Sequence, residues 1–136
     1  MVKINIIYEG NLRCRLTHLP SGDEILTDAP VDNMGKGEAF SPTDLVAAAA
    51  GSCMLTIMGI VAQKHHVNLE GTQVEIIKEM VSAPMRRIGR IEIIFKMTKG
   101  IDHAKRSMLE RAAETCPVMK SLHQSINIPI RYIYPD

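Results

Sequence analysis

Phe40-Ser41-Pro42-Thr43-Asp44-Leu45-Val46-Ala47-Ala48-Ala49-Ala50-Gly51-Ser52-Cys53 reads as the opening of a long helix around which the rest of the chain must be arranged. Ser41 suits the N-cap, Pro42 the first helical position, and Asp44 puts an acid in the first turn. The pattern continues to about His65. From Leu45 to Ala62 it carries no charge, which brings it to the lower edge of a membrane span. Much of that stretch is Ala, Gly, Ser and Thr, which contribute little to insertion, and the flanks are polar, so a fully buried helix of a soluble protein is expected instead of a membrane segment. One domain of this size can hardly cover such a helix on every side. An intertwined homodimer with two such helices packed together is the expected arrangement.

Working outward, Val2 to Tyr8, Leu12 to Leu19 and Glu24 to Asp28 alternate as strands. Short turns at Glu9-Gly10-Asn11 and Pro20-Ser21-Gly22-Asp23 join them as an antiparallel meander. Ala29 to Ser41 is the longest irregular segment and a candidate site loop. After the helix, Val67 to Val81 and Arg87 to Lys99 read as two long strands. Asp102 opens a further helix, Pro117 to His123 a short one, and Ile126 to Tyr134 a final strand. The order β-β-β-α-β-β-α-β is α+β, in a single domain spanning residues 1–136.

The 136 residues carry a net charge of +1, with 46% hydrophobic and 23% charged side chains, which excludes a broadly basic nucleic-acid-binding surface. Met1-Val2-Lys3-Ile4-Asn5 does not read as the n-region and h-region of a secretory leader, and three cysteines is an odd number. A cytoplasmic protein with thiol chemistry is the expectation. Cys14 alternates onto the face opposite Arg13 and Arg15 and reads as core. The nine methionines read as adaptable packing. No metal-ligand spacing and no nucleotide-binding or serine-hydrolase motif is present, so no cofactor is expected.

Two cysteines remain. Cys116 sits in Thr115-Cys116-Pro117, where a helix can start, and the helix dipole there favours a thiolate. Cys53 lies inside the apolar helix, where burial raises a thiol pKa, so a cation must support it. Arg13 is the first candidate and Arg15 the second.

The stretch Phe40 to Cys53 resembles the P-x-E-L-x-x-A-A-x-x-x-C helix of the OsmC/Ohr family, the osmotically inducible and organic hydroperoxide resistance proteins. Cys116-Pro117-Val118-Met119-Lys120-Ser121-Leu122 resembles that family's second motif, and the element order fits over essentially the whole chain. The resemblance implies a swapped-sheet homodimer with two buried central helices and two sites at the interface. It implies thiol-dependent peroxidase activity in stress defence, in which Cys53 is oxidised by a small hydroperoxide and Cys116 resolves the product to a disulfide. An external dithiol, or a dithiol-carrying protein, then reduces that disulfide. Arg13 would stabilise the Cys53 thiolate, and Asp44, or Glu38 from the preceding loop, would orient the arginine. In the hydroperoxide-reducing branches a glutamate directly follows the proline. Here Thr43 holds that position and Asp44 comes one residue later, about 100° further round a helix. The match is therefore closer to an OsmC-like branch than to those well-characterised hydroperoxide-reducing branches. The alternative function is a redox sensor or small-molecule binder that uses the same residues without turnover.

Overall fold

The computed structural model describes residues 1–135. They fall into two compact units, one from Met1 to Val46 and one from Ala47 onward.

The first unit is a three-stranded antiparallel sheet, β1 (Ile4–Gly10), β2 (Arg13–His18) and β3 (Glu24–Asp28), in that order. Asn11 and Leu12 both take left-handed conformations, with φ of 55° and 62°. Such angles suit a two-residue hairpin whose twist matches the strands. The register sets Arg13 directly opposite Asp28 and Arg15 opposite Leu26. Cys14 stands half-buried, short of the core position that its alternation suggests. Ile4, Ile6, Ile7 and Tyr8 are each more than half exposed, so in the single chain β1 has no buried face at all. A short 3-10 turn, Val31–Asn33, interrupts the long loop that follows.

Helix α1 (Pro42–Lys64) begins where Ser41 and Pro42 predict and ends one residue before the expected His65. Its length and apolar composition would suffice to cross a membrane, although only 33% of its most apolar window is buried. The buried residues Ala47, Ala50, Gly51, Met54, Met58 and Ala62 recur at helical spacing and form one stripe. Val46, Ala49, Ser52, Thr56 and Ile60 line another, which is exposed. The expected burial on every side is thus absent from one chain taken alone.

The second unit carries β4 (Gln73–Val81), β5 (Arg87–Lys96) and β6 (Ile130–Ile133), with β5 in the middle. β4 starts six residues later than expected. Asn68 Oδ1 accepts the Glu70 N–H at 2.9 Å, the Thr72 N–H bonds to Leu69 O, and Gly71 takes a φ of 91°, so the chain turns before it extends. β5 pairs antiparallel with β4 and parallel with β6. The last strand is shorter than its pattern, since Pro129 has no N–H to offer, yet Asn127 already bridges to Arg90.

Being central, β5 is the most buried strand: Ile91, Ile93 and Phe95 are fully enclosed. Met54 and Met58 of α1 join that core, each contributing about 1.5–3 kcal/mol by burial. Gly51 packs close against β4, for a Cβ there would lie 2.8 Å from Ile76 Cδ1. Two further helices, α2 (His103–Ala113) and α3 (Pro117–Ser121), complete the unit. Leu109 and Ala113 of α2 enter the core beside Cys116, and Tyr132 stacks on Phe95 at 4.8 Å.

Candidate functional site

Cys116 is the N-cap of α3. Its backbone is extended, Pro117 follows at the first helical position, and its sulfur accepts the Met119 N–H at 3.3 Å. Cap geometry of this kind favours a thiolate, and the N–H groups of Met119 and Val118 do pull the pKa down. Burial acts more strongly and in the opposite direction. Cys116 has no exposed surface, and its pKa is raised, first by desolvation and then by the neighbouring sulfur of Cys53. The easily ionised thiol expected at this junction is therefore not found: Cys116 is held as a thiol.

The neighbour itself is the informative part. Cys53, on the fourth turn of α1, and Cys116, between α2 and α3, belong to one core cluster and lie near enough for Cys53 to push the Cys116 pKa up. They are 63 residues apart in the chain, and packing of α1 against the same core as α2 brings them together. Cys53 is half-buried and Cys116 enclosed, so of the two only Cys53 keeps accessible surface. Both are free thiols, as is Cys14. When one of two neighbouring thiols becomes a sulfenic acid, the other can condense with it to a disulfide.

Within the first unit, Arg13 projects from β2 between two carboxylates. Its Nη2 is hydrogen-bonded to Glu38 and lies 3.5 Å from Oδ2 of Asp28. Glu38 is the larger cause of a raised arginine pKa, with Asp28 adding to it. A small cavity of about 100 Å³ is bordered by Arg13, Leu26, Thr27, Glu38 and Ala39. Arg15 emerges on the same face of β2 and is held elsewhere, by Glu9 at 2.9 Å and Glu24 at 3.4 Å.

Asp44 is engaged at the start of α1. Its Oδ2 accepts the Ser41 N–H at 2.9 Å while Ser41 Oγ accepts the Asp44 N–H at 3.1 Å, a reciprocal capping box. Of the two carboxylates assigned to orient the arginine, Glu38 bonds to it, while Asp44 serves in the helix cap. Asp28 was not anticipated. Its signal lay in the hairpin register, which puts it across from Arg13.

The family model for OsmC-like proteins matches residues 35–131. A protein from Psychrobacter arcticus 273-4, provisionally described as an osmotic-stress-induced and detoxification response protein, is 43% identical. The match covers 98% of this chain and 96% of that one, with a TM-score of 0.92. An organic hydroperoxide resistance protein OsmC from Legionella pneumophila shares the fold at 16% identity and a TM-score of 0.76, over 97% of this chain and 96% of its own. The organic hydroperoxide resistance protein OhrB of Bacillus subtilis does so at 17% and 0.70, over 98% of both chains. No curated protein matches the sequence. The α+β architecture is thus shared along nearly the whole chain, and the family model takes in both cysteines, so this chain belongs to the OsmC-like family.

Proposed function

We propose that this chain is a thiol-dependent hydroperoxide reductase working through Cys53 and Cys116. The observation that carries the reading is that separate elements deliver Cys53 and Cys116 to one core cluster, near enough for one thiol to shift the pKa of the other. Structural relatives named as organic hydroperoxide resistance proteins support the substrate class.

Access decides the order of events. Half-buried Cys53 meets the peroxide, and enclosed Cys116 does not. The Cys53 thiolate attacks the outer peroxide oxygen, the O–O bond breaks, and the departing alkoxide takes a proton to leave as alcohol. Cys53 is now a sulfenic acid. The Cys116 sulfur attacks the Cys53 sulfur, an S–S bond forms, and the sulfenic hydroxyl leaves with the Cys116 proton as water. An external dithiol reduces the disulfide and is itself oxidised. A raised Cys116 pKa suits this role, because the thiol waits protonated until a sulfenic acid is beside it. Arg13, its charge held by Glu38, is assigned to favour the Cys53 thiolate. The dithiol must be regenerated, which fits a cytoplasmic setting.

A homodimer completes the proposal. The uncovered stripe of α1 and the exposed Ile4, Ile6, Ile7 and Tyr8 of β1 are apolar surfaces that a second copy would bury.

Peroxide consumption with an added dithiol tests the cycle. Wild type turns over repeatedly and Cys53→Ser falls to background. Without the dithiol, Cys116→Ser consumes one peroxide per chain on reaching the sulfenic acid and a second on reaching the sulfinic acid, and forms no Cys53–Cys116 disulfide. Equal background rates for wild type and Cys53→Ser would sink the reading. Wild type halting after one oxidation would favour a sensor.

A further inference from the structure

Asp28 is the one buried side chain among the described residues with an oxygen lacking a hydrogen-bond partner, its Oδ1. A buried carboxylate with unmet bonding capacity is costly and calls for a reason. We propose that Asp28 is the positioning residue for Arg13. It fixes the guanidinium directly, and it also fixes the loop that brings Glu38 to the same guanidinium.

Both links are visible. Across the β2–β3 register Asp28 faces Arg13, and its Oδ2 lies 3.5 Å from Nη2. The same Oδ2 accepts the Glu38 N–H at 3.0 Å, and the Asp28 N–H bonds to Phe40 O at 3.0 Å. Between these ties the loop is drawn in on itself. Gly35 N–H bonds to Pro30 O and Gly37 N–H to Ala29 O. At Gly35 any Cβ would fall 1.7 Å from Ala29 O, so that turn admits only glycine. Glu38 is itself well exposed, and an exposed carboxylate alone holds an arginine weakly. Asp28, 1% exposed, cannot swing away. The exposed partner is therefore aimed by the buried one.

A purely structural carboxylate at this position could be an amide. Asparagine would still accept the Glu38 N–H but would carry no charge for Arg13. Asp28→Asn therefore separates the two roles, and Arg15 supplies the internal control. It lies on the same strand with a side chain 38% exposed against 34% for Arg13, and its partners are Glu9 and Glu24.

The inference rests on Arg13 as the cation serving Cys53, so the test has one readout that needs no peroxide. Rates of modification by phenylglyoxal are followed at each arginine by peptide mass mapping. In Asp28→Asn, Arg13 reacts about threefold to tenfold faster and Arg15 is unchanged, the scale expected for one lost charge contact. Peroxide turnover falls about tenfold while KM hardly moves. Equal acceleration at both arginines, or none at Arg13, overturns the proposal. Should the variant not fold, wild type decides: Arg13 reacts more slowly than Arg15, and the reverse order overturns the proposal. If wild type shows no turnover, the peroxidase reading fails, and the Asp28–Arg13 link is still judged by the labelling.

Discussion

The sulfur of Cys116 accepts an N–H at the start of α3, yet its pKa lies above the ordinary thiol value because enclosure costs the anion more than the cap returns. Tyr132 and Tyr134 are shifted the same way, chiefly by burial and then by nearby carboxylates, Glu110 among them. These are acids held neutral in the fold. Above their ordinary pKa values the unfolded chain releases protons that the folded chain keeps. Their contribution to stability is complete below those values and is lost as pH rises through the folded ones. Urea midpoints should therefore hold steady near neutrality and fall in the alkaline range, and Tyr134→Phe should flatten the fall. A midpoint that rises with alkaline pH would contradict the assignment. The cysteine pair was legible in the sequence because each thiol sits in a short local motif. Which thiol is enclosed was not, since that depends on the tertiary packing of the core that Cys116 joins. Asp28 escaped notice for a related reason: its link to Arg13 is a cross-strand register, not a spacing.

Helix α1 shows what local signals decide and what they leave open. Ser41, Pro42 and Asp44 set its start within one residue, through a capping box that needs nothing beyond the first turn. Which faces are covered follows from tertiary packing, and one stripe remains uncovered in the single chain. The strand boundaries behave similarly. Asn68 and Gly71 supply turn chemistry that overrides the apolar alternation from Val67, so β4 begins late. The open stripe carries a prediction at this scale. Ala49→Asp, on the exposed face, should leave the melting temperature of the isolated chain little changed and shift sedimentation from dimer to monomer. Wild type sedimenting as a monomer at micromolar concentration would contradict the dimer.

For the whole molecule, the fold confines the proposed chemistry to very few atoms. The core of the second unit holds a half-buried and an enclosed cysteine near one another, and the sheet of the first holds an arginine between an exposed and a buried carboxylate. The α+β order was readable from strand alternation and one strong helix start. The parallel pairing of β6 with β5 was not, because it joins segments far apart in sequence. The account turns on Cys53 and Cys116 becoming one disulfide at the expense of one peroxide. The most direct measurement is intact mass and peptide mapping of the reduced protein after one equivalent of a small organic hydroperoxide. The prediction is a loss of two hydrogens, a Cys53–Cys116 cross-linked peptide, free Cys14, and one alcohol formed per disulfide. Unchanged mass with all three thiols free, or a disulfide that includes Cys14, would contradict it.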